Sequence, residues 1–115
     1  MITHPVVVGV FAGILRESGY ENIVLADSCG HGTTKQVIQG TGMDTYLEKY
    51  QIPAIDYTKG VRVENPDGVQ AKEFILPKEL LEAECVISLS KMKTHALERI
   101  TGAVKNSYGF VYGKK

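Results

Sequence analysis

Residues 22–34, NIVLADSCGHGTT, hold the pattern that decides the fold. The apolar run over residues 22–26 is short and bounded by polar residues, which is typical of a strand buried on both faces. Small and polar residues follow it at once. Thr33 or Thr34 can then cap a helix over about residues 34–50, and Gly40 and Gly42 predict that this helix is split into two pieces.

The same arrangement returns at residues 85–95, CVISLSKMKTH. An apolar run over residues 85–89 predicts a second buried strand, with Cys85 as a small core residue. A polar segment over residues 90–95 follows this strand as a loop. Two strands therefore each end in a loop rich in polar groups.

The remaining chain predicts short elements around these two strands. Thr3 can cap the first helix, and His4 beside Pro5 is expected to be a surface residue. The turn sequence Asn65-Pro-Asp-Gly68 predicts a β-hairpin. The other elements, in order, are a helix over 4–18, a strand over 53–57, the hairpin over 61–76, a helix from Pro77 through Glu82, and a last helix from near Thr101.

This alternation of helices and strands predicts an α/β fold, a three-layer-like domain with a mixed, mainly parallel sheet and a small β-hairpin insertion. A length of 115 residues allows one domain at most, over residues 1–115. Ligands of open α/β sheets bind beyond the carboxyl ends of the strands. The loops 27–34 and 90–95 would face one crevice if their strands are parallel neighbours.

Composition narrows the class of protein. Hydrophobic residues make up 43% and charged residues 23%, which argues against disorder, collagen-like repeats and a coiled coil. The longest apolar run is much shorter than the ~20 residues of a spanning helix, so we expect no membrane partner. The amino terminus has no basic signal region, and a cytoplasmic location is the default expectation.

Charge is balanced over the chain but unevenly distributed. The 13 basic and 13 acidic side chains cancel, which argues against a nucleic-acid partner. Residues 91–115 nevertheless hold six basic side chains and one acidic one, a net charge of +5, which leaves −5 on residues 1–90. This asymmetry indicates an anionic partner near the carboxyl-terminal stretch, or a solvated basic tail.

The first loop permits several kinds of chemistry. Its glycines and hydroxyls, followed by a helix start, resemble an anion cradle without matching a known phosphate-loop motif, so an ordinary strand-to-helix connection stays open. Asp27, Cys29, His31 and His95 are metal-competent residue types, but no standard ligand spacing is present and we expect no metal site. Cys29 as a nucleophile with a histidine base is a further alternative.

The second loop and the segment after it concentrate hydrogen-bond donors. Residues 90–95 (SKMKTH) and 101–106 (TGAVKN) supply ammonium groups, an imidazole, hydroxyls and an amide. These groups suit recognition of a phosphate or carboxylate better than acid–base work on a neutral substrate.

The sequence resembles the family called domain of unknown function 362. The resemblance rests on Thr3-His-Pro at a helix start, Asp27-Ser28 after a strand, Ser90-Lys-Met-Lys-Thr-His95, and Thr101-Gly-Ala-Val-Lys-Asn106 with Gly109. It covers nearly the whole chain. The segment Leu97-Glu-Arg-Ile100 departs from the Thr-Gly-Val that commonly precedes the second motif.

The resemblance implies that the chain is part of a longer family domain. Members usually begin with an extra strand carrying Lys-Pro-Asn, and many are associated with a ferredoxin-like module that holds two [4Fe–4S] clusters. This chain has two cysteines without cluster spacing, so we expect no iron–sulfur cluster in it. The implied role is the substrate-handling part of a ferredoxin-linked redox system, with the cofactor and the question of enzyme activity left open.

The candidate site combines both loops around a small anionic molecule. Lys91 and Lys93 are expected to bind a carboxylate or phosphate, and His95, the candidate catalytic residue, to transfer a proton or orient the ligand. The other candidate ligand-binding residues are Thr94, Lys105 and Asn106, with Asp27, Ser28 and His31 on the opposing lip. The alternative is a non-catalytic interaction or assembly module, in which exposed apolar surface drives homo-oligomerisation.

Overall fold

The computed structural model describes residues 3–27, 32–57, 60–96 and 99–111. The chain divides into two compact units, unit 1 over residues 1–56 and unit 2 over residues 57–115. Unit 1 contains α1 (Pro5–Glu17), β1 (Leu25–Ala26), α2 (Thr34–Thr41), α3 (Asp44–Lys49) and β2 (Ala54–Ile55). Unit 2 contains β3 (Gly60–Glu64), β4 (Glu73–Pro77), α4 (Lys78–Glu82), β5 (Lys93–His95), β6 (Arg99–Thr101), α5 (Ala103–Ser107) and a 3-10 turn (Tyr108–Phe110).

The N-cap of helix α1 lies one residue later than predicted. The Nδ1 atom of His4 accepts a hydrogen bond from the Val6 amide at 3.2 Å, so His4 is the N-cap and the prediction of Thr3 was wrong. Pro5 then occupies the first helical position, where its missing N–H has no intrahelical partner to lose. The helix span itself is confirmed.

Two glycines let α1 approach α3 closely. Gly9 and Gly13 lie one turn apart on α1, and the rings of Tyr46 and Tyr50 lie against them. A Cβ atom on Gly9 would lie 2.6 Å from Cγ of Tyr46, and one on Gly13 would lie 2.8 Å from the Tyr50 hydroxyl. The absence of side chains at both positions therefore forms the groove that holds the two rings.

Arg16 ties the end of α1 to the end of α3. Its Nε donates to the Tyr50 carbonyl at 2.8 Å, and its terminal nitrogens donate to the carbonyls of Gln51 at 2.8 Å, Tyr20 at 3.1 Å and Glu21. A single guanidinium thus satisfies backbone acceptors from two separate segments, which its rigid fork of five donors makes possible.

Helices α2 and α3 confirm the predicted split. Thr33 and Gln36 form a reciprocal capping box, in which Thr33 Oγ1 accepts from the Gln36 amide at 3.2 Å and Gln36 Oε1 accepts from the Thr33 amide at 3.0 Å. Gly42 ends α2 with a left-handed φ of 73°, which glycine adopts without a steric cost.

The strands of unit 1 are shorter and less buried than predicted. Residues 22–26 were expected to form a buried strand, but only Leu25–Ala26 is extended in a ladder, and both residues are half-buried. It pairs in parallel with Ala54–Ile55, Leu25 lying opposite Ala54. A strand buried on both faces needs covering layers on each side, and two residues of ladder provide too little sheet for them.

The apolar core of the described residues lies in unit 1. Its members come from α1, α2, α3 and the turn after α3: Val8, Ala12, Ile38, Met43, Leu47 and Ile52. Four of them belong to the three helices and the other two, Met43 and Ile52, flank α3, so helices rather than a sheet supply the apolar core of this unit.

Unit 2 is built on hairpins. β3 and β4 pair antiparallel from Gly60 opposite Pro77 to Glu64 opposite Glu73, which confirms the predicted hairpin. The turn forms as expected, because the Gly68 amide donates to the Asn65 carbonyl at 2.9 Å. Pro77, which is almost fully buried, then precedes α4.

The segment 85–89 is not a strand. It is irregular, and residues 85–88 are exposed, so the predictions of a second buried strand and of Cys85 as a core residue were wrong. Its apolar side chains favour a pleated, half-buried surface, but strand formation also requires a hydrogen-bonding neighbour. In the part of the chain that the structure describes, each strand already pairs with one other strand.

The mixed α/β class is confirmed. The described strands form three two-stranded sheets, β1 with β2, β3 with β4, and β5 with β6. The first is parallel and the other two are antiparallel, so parallel pairing is confined to β1 and β2.

Candidate functional site

The lysine–histidine segment forms part of a short hairpin. Residues 93–95, which were predicted as loop, are strand β5 and pair antiparallel with β6. The register sets Lys93 opposite Thr101 and His95 opposite Arg99. The prediction of a continuous polar loop over residues 90–95 was therefore wrong. The hairpin joins this segment directly to Thr101, the first residue of the second motif.

The two faces of this hairpin differ in burial. Lys93 and His95 are half-buried, and Thr101, opposite Lys93, is buried at 7% exposure. Thr94 and its partner Ile100 are exposed. Since alternate residues of a strand point to opposite faces, the ammonium and imidazole groups share the less exposed face, and Thr94 lies on the other.

A chain of polar contacts joins the two motifs. The Asn106 amide donates to Ser88 Oγ at 3.4 Å, and Ser88 Oγ lies 3.0 Å from Ser90 Oγ. Asn106 is in α5, while the two serines precede β5 in the chain. This contact holds the amide of the second motif against the segment that leads into the first.

Sequence reasoning did not single out Ser88 or Arg99. Ser88 interrupts the apolar run over residues 85–89, and this polar residue in a strand-like pattern was the signal that could have identified it. Arg99 has a φ of 59°, an uncommon left-handed conformation for a residue with a side chain. Lys91 and Lys105, by contrast, were predicted as ligand-binding residues and are both exposed.

The start of α2 already faces an anion from within unit 1, the carboxylate of Asp56. Thr34 opens α2, and its amide donates to Oδ1 of Asp56 at 2.7 Å, while its hydroxyl donates to the Asp27 carbonyl at 3.2 Å. The amides of Thr33 and Gln36 are taken by the capping box. These contacts favour the strand-to-helix connection over the anion cradle, because the Asp56 carboxylate already complements the positive end of the helix.

The position of Asp56 at the start of α2 lowers the pKa of its carboxyl group. Hydrogen bonds from the Thr34 hydroxyl and the Thr34 amide lower the pKa of Asp56 below its ordinary value of 3.8, against a smaller opposing effect of desolvation. The hydroxyl has a single hydrogen, which it donates to the Asp27 carbonyl at 3.2 Å, so the 2.7 Å bond from the Thr34 amide is the geometric cause of the lowered pKa.

We expect a pH-dependent contribution of Asp56 to stability. Its pKa is lower in the folded than in the unfolded chain, so the stabilisation is complete above pH 3.8 and is lost as the pH falls below that value. Asp56→Asn should therefore destabilise the protein at pH 7 and lose that deficit progressively in acid. Urea unfolding of the wild-type protein and the variant, at pH 7 and at a series of lower pH values, measures this difference in the free energy of unfolding. Asp67→Asn is the control. A deficit that stays constant down to pH 2 would contradict this assignment.

Several predicted residues lie outside the described part of the chain. Ser28, Cys29 and His31 are among them, and Asp27 is exposed beside them. The loops 27–34 and 90–95 belong to different units, so the shared crevice remains a prediction. Within residues 3–27, 32–57, 60–96 and 99–111, no three metal-competent side chains form a metal-binding group.

The chain is therefore a mixed α/β protein in which a hairpin and a short helix join two polar motifs. The chain matches the family described as Domain of unknown function (DUF362) over residues 1–115, and it belongs to that family.

A curated relative is the thylakoid-associated protein sll1697 of Synechocystis sp., which is 33% identical over 113 residues. The match covers 98% of this chain and 34% of the relative, so the chain spans about a third of the length of that protein. No solved structure matches the chain. Among the described residues, no helix has the length and apolar character needed to span a membrane.

Proposed function

We propose that the chain binds a small anionic molecule, a carboxylate or a phosphate, at the β5–β6 hairpin and α5. The observation that carries this proposal is the register of the hairpin, which joins the lysine–histidine motif to the start of the second motif. The proposed ligand-binding residues of this unit are Lys91, Lys93, Lys105 and Asn106, with His95 as the group that transfers a proton or orients the ligand. Thr94 stays proposed as a further ligand-binding residue on the other face of the hairpin.

Burial and charge support an anion over a neutral ligand. Lys93 and His95 are half-buried, and hydrogen bonds to charged groups gain strength where water is partly excluded. The formal charge of residues 91–115 is +5, so the field in this region attracts anions. Asp27, Ser28 and His31 stay proposed as ligand-binding residues of unit 1.

Family membership supports a wider role. We infer that the site serves the substrate-handling part of a ferredoxin-linked redox system, in which the clusters reside in a separate ferredoxin-like module. The named relative is associated with thylakoids, and the cytoplasmic location expected for this chain remains a prediction.

A thermal-shift screen tests the binding. The probes are phosphates, nucleotides, dicarboxylates and divalent metals. A ligand present at 100 times its dissociation constant adds about 2.7 kcal/mol to the stability of the folded state, which raises the melting temperature measurably. A ligand that shifts the melting temperature and competes with inorganic phosphate is the expected result.

The double variant Lys93→Ala, His95→Ala tests the site. We expect it to weaken the binding of such a ligand by at least about tenfold, since it removes one charged donor and one ring donor. The matched control is Lys78→Ala, which removes an exposed ammonium from α4, where Lys78 pairs with Glu82 at 3.0 Å. Equal affinity in the wild-type protein and the double variant, measured by calorimetry, would refute the proposed site.

A further inference from the structure

Unit 2 exposes apolar side chains beside its cations. Met92 is 81% exposed, Ile100 70% and Val104 91%. These three residues, called here the hairpin patch, come from the chain just before β5, from β6 and from α5, which contacts β6. The exposed cations Lys91, Arg99 and Lys105 are their near neighbours in sequence. Exposed apolar side chains accompanied by charged groups, with arginine among them, are typical of a protein interface.

Unit 1 exposes an apolar stripe on α1 that ends in an acidic residue, whereas the apolar residues of unit 2 lie near cations in the sequence. Val6, Val7, Val10 and Ile14, called here the α1 stripe, are 45–57% exposed. The spacing from Val10 to Ile14 places both on one face, and the exposed Glu17 follows three residues later on that face. The one basic residue of α1, Arg16, has its guanidinium engaged by backbone carbonyls. The stripe therefore ends in an acidic group.

We propose that the hairpin patch of one molecule binds the α1 stripe of a second copy of this chain. Charge decides between this and a symmetric contact, because two hairpin patches facing each other would bring like charges together. The formal charge of −5 on residues 1–90 against +5 on residues 91–115 favours the head-to-tail arrangement. A contact between two different surfaces leaves one of each free, so it produces chains of molecules that lengthen with concentration. This inference does not require the proposed anion binding, although the two share Lys91 and Lys105, so association is measured without added ligand.

Light scattering of the 115-residue chain without added ligand measures the association. We expect the weight-average mass to rise above 12.6 kDa as the concentration increases, and more steeply at low salt, where the charges are less screened. Ile100→Ser should lower the association constant by about tenfold. A constant mass of one chain at every concentration would overturn the proposal.

Charge reversal identifies the two surfaces. Glu17→Arg and Arg99→Glu should each weaken self-association, since each places like charges across the contact. An equimolar mixture of the two variants should associate again, because opposite charges then meet at every contact. Glu48→Arg, which makes the same change on the exposed side of α3, is the control and should leave association unchanged. Association that ignores both reversals, or a mixture that does not recover, would contradict the head-to-tail contact.

Discussion

Replacing Arg16 with methionine is expected to lower the free energy of unfolding by about 2–4 kcal/mol, since hydrogen bonds to charged groups contribute about 1.5–3 kcal/mol each and the partly buried bond to the Tyr50 carbonyl contributes more than the exposed ones. Its guanidinium donates to carbonyls at the end of α3 and after the end of α1. Methionine retains most of the apolar stem but leaves these acceptors without their donor. The positive charge near the end of α3 is lost as well.

The control for this experiment is Arg62→Met in the β3–β4 hairpin. Arg62 pairs with Glu73 at 2.7 Å, but both side chains are exposed, and such pairs contribute about 0–1 kcal/mol. Arg16→Lys should fall between wild type and Arg16→Met, because one ammonium cannot bridge both sets of carbonyls. Urea unfolding followed by circular dichroism measures all three. Equal losses at Arg16 and Arg62 would show that the guanidinium of Arg16 does not join the helices.

Gly9→Ala is the second substitution with a large expected effect. A methyl group there would lie 2.6 Å from Cγ of Tyr46, so the ring must move away from α1. Overpacking of this kind costs about 1–3 kcal/mol, which exceeds the gain of about 1 kcal/mol from replacing glycine with alanine in a helix. We expect a net loss of stability in thermal unfolding.

Gly40→Ala provides the matched control, because Gly40 lies in α2 with nothing within 4 Å of the added Cβ. This substitution should raise stability by about 0.5–1 kcal/mol. The double variant Gly9→Ala, Tyr46→Ala lacks the ring and should therefore remove the steric overlap with the added methyl group. The effects of the two substitutions on stability should be non-additive. If Gly9→Ala stabilised the protein as much as Gly40→Ala, the close approach of α1 and α3 would be disproved.

Local sequence signals predicted the helices and one hairpin well. The apolar pattern over 4–18, the two threonines at 33–34, of which Thr33 is the cap, and the glycine at the end of α2 each depend on residues within a few positions of one another. The turn at residues 65–68 is likewise a local event, and its hairpin formed as predicted. The order of the two site motifs and the family assignment also follow directly from the residues.

The candidate site was predictable in its residue types but not in its arrangement. Lysine, histidine and asparagine in two nearby motifs indicate anion chemistry without reference to the fold. That Lys93 faces Thr101 and that Asn106 contacts Ser88 depends on how β5 pairs with β6. A segment of three residues has too few side chains to reveal such a pairing by its own pattern.

The sequence by itself determined the mixed α/β class, the positions of the helices, the β3–β4 hairpin and the basic character of the carboxyl-terminal stretch. Each of these depends on residues close together in the chain. The tertiary structure decided that the strand-like run over residues 85–89 stays irregular, that Asp56 supplies the anion at the start of α2, and that Arg16 joins α1 to α3. Those outcomes depend on partners that are distant in sequence, because a strand forms only beside another strand and a buried polar group is stable only with its acceptor or donor.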